Sequence, residues 1–418
     1  MNLKFLGAAQ EVGRSAILLD DGKKLLMDYG VKISSDKPEY PAEVHSADAV
    51  VLSHAHLDHS GYVPALYNHM AIPTFGTYPT LKLSELLLED SLNVAKKNKN
   101  WPGFKKREIR TFMSRYVNLN YKVPITVDDF NITFYDAGHI SGSAVTLIER
   151  EKAKDNRRIV YTGDFKIEKQ ELHDGAEIIK SDVLITEATY ATREHPDREK
   201  TIREFVEKIK ETLDNGGTAL IPVFAVGRSQ EILSILYRHN LCGMTYLDGM
   251  ARAATSIVAN FPRFITNSDT LHNAIGETTR INDRSDRHLA LGEPAIIVTT
   301  SGMLNGGPVL DYITRLNRES NILITGYQAE GSNGRSLIED GFVTIDEVKR
   351  KISTPVTTYD LSAHAGMSDI YRYVRESDPN LVLCVHADNE SATTLADNLN
   401  LEGFNAVAPK LGDVIKVS

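Results

Sequence analysis

The sequence of 418 residues predicts a layered α/β protein with a mostly parallel sheet, divided into two domains. Three observations carry this. Short apolar runs recur through the first part of the chain, and several end in a His or an Asp. Farther on, strand-like and helix-like segments alternate. The length allows two domains that each bury a sizeable core.

Strands are expected in order over Met1–Phe5, Ser15–Asp20, Lys24–Asp28, Ala49–Leu52, Asn131–Tyr135, Ser143–Glu149, Arg158–Thr162 and Val183–Thr186. A polar, helical region from about Leu81 to Tyr116 interrupts them. This pattern fits the first portion of an αββα sandwich. Thr201–Asp214 then places Ile202, Phe205, Val206, Ile209 and Leu213 on one helical face, and Gly216-Gly217 stops it. Thr218–Val223 reads as an apolar strand, Gly227–Arg238 as a helix, and Pro294–Thr299 and Asn321–Thr325 as short buried strands. The boundaries implied are a first domain over 1–191, an inserted domain over 192–361, and a C-terminal part over 362–418 that returns to the first domain. The cleft is expected between the domains.

The chemistry concentrates in Ser53-His54-Ala55-His56-Leu57-Asp58-His59, directly after the apolar run Ala49–Leu52. Four metal-ligand side chains within six residues can be aimed at one region of space. Two residues apart, His54 and His56 suit one metal, and Asp58 and His59 suit a second. Nitrogen and carboxylate ligands at this density fit zinc best, with manganese or iron as alternatives. The strand-then-ligand pattern repeats. His139 follows Asn131–Tyr135, Asp164 follows Arg158–Tyr161, His386 follows Leu381–Val385, and Asp28 follows Leu25–Met27. Strand ends are the usual place for sites in layered α/β proteins.

The series His54-x-His56-x-Asp58-His59, His139 and Asp164 resembles the ligand series of the metallo-β-lactamase fold. Thr186–Tyr190, Ser362–Gly366 and Val385-His386 are similar to the three later motifs of the β-CASP nucleases. So are Ile221–Glu231, Tyr246–Ala251, Ser301–Pro308 and Gly326–Arg335. Across nearly the whole chain, the resemblance is to the cleavage-and-polyadenylation-specificity-factor-like branch, in its archaeal and bacterial forms, related to RNase J. It implies a metallo-β-lactamase αββα sandwich with an inserted β-CASP domain.

The resemblance also implies zinc-dependent hydrolysis of RNA phosphodiester bonds, leaving 5′-phosphate and 3′-hydroxyl ends, by an endonuclease or a 5′-to-3′ exonuclease. His54, His56 and His139 would hold one Zn2+, and Asp58, His59 and His386 the other. Asp164 would bridge both, and Mn2+ could replace zinc. His364 is the expected general acid and Glu187 its partner, since a His paired with a carboxylate stays protonated near neutral pH. Asp28 has no ligand slot left and is expected either to orient the His loop or to be a simple turn residue. Ser301, Gly302, Ser332, Arg335 and Arg228 are expected to contact substrate phosphates, against the alternative that these loops only serve tight turns. The family usually continues its last ligand motif as His-Gly-Glu, whereas here it runs His386-Ala387-Asp388. Met1 lies almost at the first strand, so no appended N-terminal RNA-binding module is expected. RNA is the expected partner. The resemblance leaves room for a homodimer and for an RNA-processing or decay complex.

Composition bounds the rest. No run of eighteen apolar residues and no basic leader suggests a membrane span or secretory signal. Two distant cysteines, Cys242 and Cys384, point to a reducing, cytoplasmic setting. A net charge of −9 argues against a general polyanion coat, although metals can supply local positive potential. The densest basic stretch is Lys96, Lys97, Lys99, Lys105, Lys106, Arg107 and Arg110, with Trp101 and Phe104 among them. A solvated helical surface is its simpler reading, and an RNA-guiding surface its sharper one. The remaining histidines, His45, His69, His173, His195, His239, His272 and His288, are read as surface or structural. Two competing functions remain: a small-molecule metallo-hydrolase of the same fold, and a non-catalytic RNA-processing subunit.

Overall fold

A computed structural model describes residues 1–33, 37–150 and 157–417. The chain forms two compact units. One comprises 1–169, 173–194 and 364–418; the other comprises 170–172 and 195–363.

The first unit is built on two seven-stranded sheets. In one, Val414–Lys416, Asn2–Gly7, Ala16–Asp20 and Lys24–Met27 pair antiparallel, and Ala49–Val51, Thr74–Thr77 and Tyr116–Leu119 continue in parallel. The other repeats the plan. Ile125–Val127, Phe130–Asp136, Ala144–Arg150 and Arg158–Tyr161 pair antiparallel, then Val183–Glu187, Leu381–Val385 and Ala406–Val407 run parallel. Strand alternation decides which face each side chain meets. Leu3, Phe5, Ile17 and Met27 of one sheet and Ile132, Phe134, Ile148 and Ile185 of the other fill the layer between the sheets. Outward-facing Leu26, Val50 and Leu52 pack under the helices Tyr78–Lys97 and Lys106–Arg115. Val160, Leu184 and Val382 pack under the helices Met367–Ser377 and Asn389–Leu401. The result is four layers, αββα.

The second unit centres on a six-stranded sheet in the order Thr279–Arg280, Thr245–Asp248, Ile296–Thr299, Ala219–Pro222, Asn321–Ile324, Val356–Thr358, with every pairing parallel. Ile221, Ile296, Val298 and Leu323 face one apolar layer, and Leu220, Ile297, Ile322 and Ile324 the other. Burial on both faces is why these strands read as unbroken apolar runs. The hairpin Phe342–Ile345/Val348–Lys351 forms a separate two-stranded sheet.

The helical region expected from Leu81 to Tyr116 is corrected to two helices separated by residues 98–105, with Tyr116 already in a strand. Pro102 follows the helix, and Lys99 and Gly103 adopt φ of 55° and 83°, which no helix continues through. Strands of two to four residues, such as Thr74–Thr77 and Thr245–Asp248, were missed because they are too short to show a period. Among the described residues no helix is long and apolar enough to cross a membrane.

Candidate metal centre

The buried strand Ala49–Val51 delivers the histidine loop, and the loop is held from its backbone outward. Ser15 and Val31 donate main-chain N–H groups to the carbonyls of Asp58 and Leu57, each at 2.8 Å, and Tyr29 donates to His59 at 2.8 Å. Gly30 makes this approach feasible: a Cβ there would lie 1.7 Å from the Asp58 carbonyl oxygen. Ser60 Oγ closes the turn by donating to the Ala55 carbonyl at 2.8 Å.

Asp28, wholly buried in left-handed backbone with φ of 55°, organises the loop from below. Its Oδ1 accepts from the Ser53 backbone N–H at 2.7 Å. Its Oδ2 accepts from Ser53 Oγ, His59 Nδ1 and Tyr161 Oη, each at 2.7 Å. A carboxylate only accepts, so His59 Nδ1 carries a proton, which leaves Nε2 as the ring nitrogen that a cation could take.

Above that floor the side chains form two groups. Ligand atoms of His54, His56, His139 and Asp164 lie within 4.8 Å of one another, and so do those of Asp58, His59, Asp164 and His386. Asp164 belongs to both. Its Oδ2 is 3.5 Å from His54 Nε2, and its Oδ1 is 3.3 Å from His59 Nε2 and 3.0 Å from His386 Nδ1. His386 Nε2 is 3.4 Å from Asp58 Oδ2.

The cluster does not satisfy itself. The Nε2 atoms of His54 and His139 converge on His56 Nδ1 at 3.2 and 3.1 Å, more than one ring nitrogen can serve. Asp164 Oδ1 and both ring nitrogens of His386 touch only as ion pairs, and none of the three makes a hydrogen bond of good geometry among the described residues. Buried polar atoms are otherwise almost always paired. Burial and neighbouring imidazoles hold His54 well below its ordinary pKa, in the neutral state a metal requires. Burial alone would also lower His386, but Asp164 and Asp58 push it up to about 10. Burial opposes ionisation of Asp164, yet His386 and His59 keep it well below the carboxylate range. Divalent cations would take the place of the protons that now hold the second group together. The donor set and its orphaned atoms therefore fit a dinuclear metal site.

His364 and Glu187 meet beside this cluster. His364 Nδ1 is 2.9 Å from Glu187 Oε2, and Asp164, Glu187 and His364 form a third close group. Glu187 is buried and pinned by the Phe165 backbone N–H at 2.8 Å and by Thr189 Oγ1 at 2.6 Å, while the His364 side chain keeps 24% of its surface exposed. Thr189 Oγ1 also lies 3.0 Å from the His386 carbonyl oxygen, tying the His364–Glu187 pair to the end of the strand Leu381–Val385. Parallel pairing sets these neighbours, because Tyr161 pairs Ile185 and Glu187 pairs Val385, so the ligands just beyond emerge side by side. The departure after His386 has a local reason. His386 takes φ of 54°, and Asp388 caps the helix Asn389–Leu401 through the Ser391 N–H at 2.8 Å.

In the second unit, Ser301 and Gly302 lie just past the strand Ile296–Thr299, Arg228 opens the helix that follows Ala219–Pro222, and Ser332 and Arg335 sit at the cap and first turn of the helix that follows Asn321–Ile324. The Gly334 N–H donates to the Met303 carbonyl at 3.0 Å, which joins two of these loops. Each residue already has structural work. A Cβ on Gly302 would lie 2.9 Å from the Phe224 nitrogen. Ser301 Oγ donates to the Gly306 carbonyl at 3.2 Å, and Ser332 caps its helix by accepting from the Arg335 N–H at 3.2 Å. Arg335 pairs with Glu339 on the exposed face, and Arg228 is buried at the start of its helix. Sequence reasoning attached no role to Ser53, Tyr161 or Thr189. Each lies within three positions of a candidate site residue, His54, Asp164 or Glu187, which was the available signal. His195, read as surface or structural, pairs with Asp360 at 3.0 Å.

Three family models match the chain: a metallo-beta-lactamase superfamily domain over residues 16–192, a Beta-Casp domain over 229–337, and a Zn-dependent metallo-hydrolase RNA specificity domain over 349–409. The chain is 39% identical to "Probable RNase MJ4" of Methanocaldococcus jannaschii, with all of both chains covered. It is 34% identical to "RNase aCSPSF2" of Saccharolobus solfataricus, covering 99% of this chain and 85% of that one. It is 31% identical to "Transcription termination factor FttA" of M. jannaschii, covering 96% of this chain and 69% of that one. A crystal structure of an Enterococcus faecalis protein of unknown function shares the fold, with a TM-score of 0.63, 15% identity, and coverage of 100% of this chain and 99% of that one. Fold and site thus define a metal-dependent hydrolase of metallo-β-lactamase architecture. The chain belongs to the β-CASP family of such enzymes, in its cleavage-and-polyadenylation-specificity-factor-like branch.

Proposed function

We propose that this protein is a zinc-dependent ribonuclease that hydrolyses RNA phosphodiester bonds and leaves 5′-phosphate and 3′-hydroxyl ends. The observation that carries the reading is the His364–Glu187 pair standing beside a two-part ligand set that shares Asp164. His54, His56 and His139 would hold one ion, Asp58, His59 and His386 the other, and Asp164 both. Two divalent ions in such sites acidify bound water and stabilise both oxygens of an in-line displacement. The protein's own groups do the remaining work. Asp28 fixes the His59 tautomer. Glu187 fixes His364 and favours its imidazolium, so that the other ring N–H, at Nε2, can protonate the leaving 3′-oxygen. The strand-end loop bearing Ser301 and Gly302, and Arg228 at the start of its helix, are the proposed phosphate contacts of the second unit. Ser332 would contribute its helix N-terminus, and Arg335 would exchange its exposed Glu339 pair for phosphate. A cytoplasmic setting is supported by the two buried free cysteines, and the reading accommodates a homodimer or a decay or processing complex.

The test uses zinc-loaded protein and its Asp164→Ala variant. One RNA is prepared with a 5′-monophosphate or a 5′-hydroxyl and labelled at either end. Mononucleotides released only from the 5′-monophosphate form identify a 5′-exonuclease. Internal fragments indifferent to the 5′ end identify an endonuclease. No Asp164-dependent cleavage of either would return a small-molecule substrate or a scaffold role.

A further inference from the structure

Over Lys96–Arg115 the chain carries eight lysines and arginines against one carboxylate, Glu108, a local charge of +7 in a protein whose total is −9. All eight are exposed, whereas Glu108 is buried. Lys106 pairs with Glu89 and Arg107 with Glu108. Lys96, Lys97, Lys99, Arg110 and Arg115 have no carboxylate partner among the described residues. A solvated helix face would spread such charge among i,i+4 acids; here the acids are absent.

In the middle of this surface stands Trp101, 62% exposed, with Lys105 Nζ 5.7 Å from its ring centroid. An exposed tryptophan on a fraying loop would mean little, but this loop is anchored at Trp101 and again at Gly103. The Trp101 carbonyl accepts from Tyr40 Oη at 3.4 Å, and the Gly103 carbonyl accepts from Asn68 Nδ2 at 3.0 Å. Phe104 next to it is buried in the core under the helices. Gly103 lies so close to the Tyr62 ring that a Cβ would approach within 2.7 Å. Tyr62 stacks on Tyr40 at 4.2 Å and follows His59 by three residues. The loop is thus built onto the chain that leaves the histidine loop.

We propose that Trp101 and the surrounding lysines and arginines form a docking surface for single-stranded RNA, on which an unpaired base stacks while the cations track its backbone. Positive charge alone would take any polyanion. A rigidly mounted, exposed indole selects one with accessible bases, because every base has a π-face. The inference rests on the ribonuclease reading for its choice of ligand, so its test is kept separate from cleavage.

Trp101 is the one tryptophan of the chain, so tryptophan emission reports this surface alone. The metal-loaded protein is titrated with a hydrolysis-resistant phosphorothioate oligouridylate of about 20 nucleotides, longer than one stacking site. Duplex RNA of the same length and polyglutamate serve as controls. The expected result is quenching by the single strand, little by the duplex and none by polyglutamate. With end-labelled oligouridylate, Trp101→Ala should weaken binding about fivefold or more. Joint Lys97→Gln and Lys99→Gln should lower the slope of log affinity against log salt by about 1.4. Unchanged emission together with unchanged Trp101→Ala affinity overturns the proposal. So does equal binding of duplex, which means backbone charge alone, or equal quenching by polyglutamate, which means an acidic protein partner. If quenching is seen but labelled RNA is never cleaved, the surface stands and the ribonuclease reading fails.

Discussion

At the scale of single residues, the distinction that matters is between groups that hold metal and groups that move a proton. His364→Ala should keep both ions and lower kcat by about 10²–10⁴-fold, checked by metal analysis beside turnover. Loss of metal in that variant would make His364 a ligand. Burial alone would lower the His364 pKa, but Glu187 and Asp164 raise it above the ordinary value. An acid must be protonated to act, so activity should fall as pH rises through that raised value. Glu187→Gln removes one raising charge and should move the basic limb of the pH–rate profile to lower pH; an unmoved limb would detach Glu187 from the acid. Asp28 acts one step away, through His59. Asp28→Asn should weaken metal binding about 10–100-fold while leaving the fold intact, measured by competition with a chelator.

At the scale of elements, the site depends on strand ends and on how closely the backbones near them approach. Gly30→Ala would press a methyl onto the Asp58 carbonyl, 1.7 Å away, and displace the loop that carries His54, His56, Asp58 and His59. The expected outcome is a folded protein with less than its full metal content, read by circular dichroism beside metal analysis. Phe134→Ala tests the layer between the sheets rather than the site. Phe134 is fully buried, so the change should cost about 3–5 kcal/mol in denaturant unfolding. The basic region shows how element-level reading can fail. It read as a helical region from about Leu81 to Tyr116 with no break marked in it, whereas the break at residues 98–105 is what mounts Trp101 on the surface.

At the scale of the whole molecule, the metal centre makes stability depend on pH in opposite senses with and without metal. In the metal-free protein, His386 is raised to about 10, so its contribution is complete below the unfolded value of about 6.5 and is lost as pH rises toward 10. With metal, His386 must be deprotonated to bind, so bound metal should be lost as pH falls. Melting curves across pH, with and without chelator, should therefore diverge as pH rises. Curves that run parallel would show that the ions do not occupy the His386 group.

The residues that cluster at the candidate metal centre, the polar side chains at strand ends and the apolar runs of the parallel sheet were readable in the chain. They follow from local chemistry: imidazoles and carboxylates declare themselves, and strands buried on both faces must be apolar. The function of Asp28 was not readable, since turn residue and loop anchor look alike until Ser53, His59 and Tyr161 are seen converging on it. The meeting of His364 with Glu187, 177 positions apart, was implied by the family resemblance and not by residue chemistry, and the fold brings the two within 2.9 Å. Which strand ends stand together is decided by parallel pairing between distant segments, here Val183–Glu187 between Arg158–Tyr161 and Leu381–Val385. Periodicity says that a strand exists and which face it buries, but it carries no label for the neighbour. Only the folded sheets bring Asp164, Glu187 and His386 to one edge.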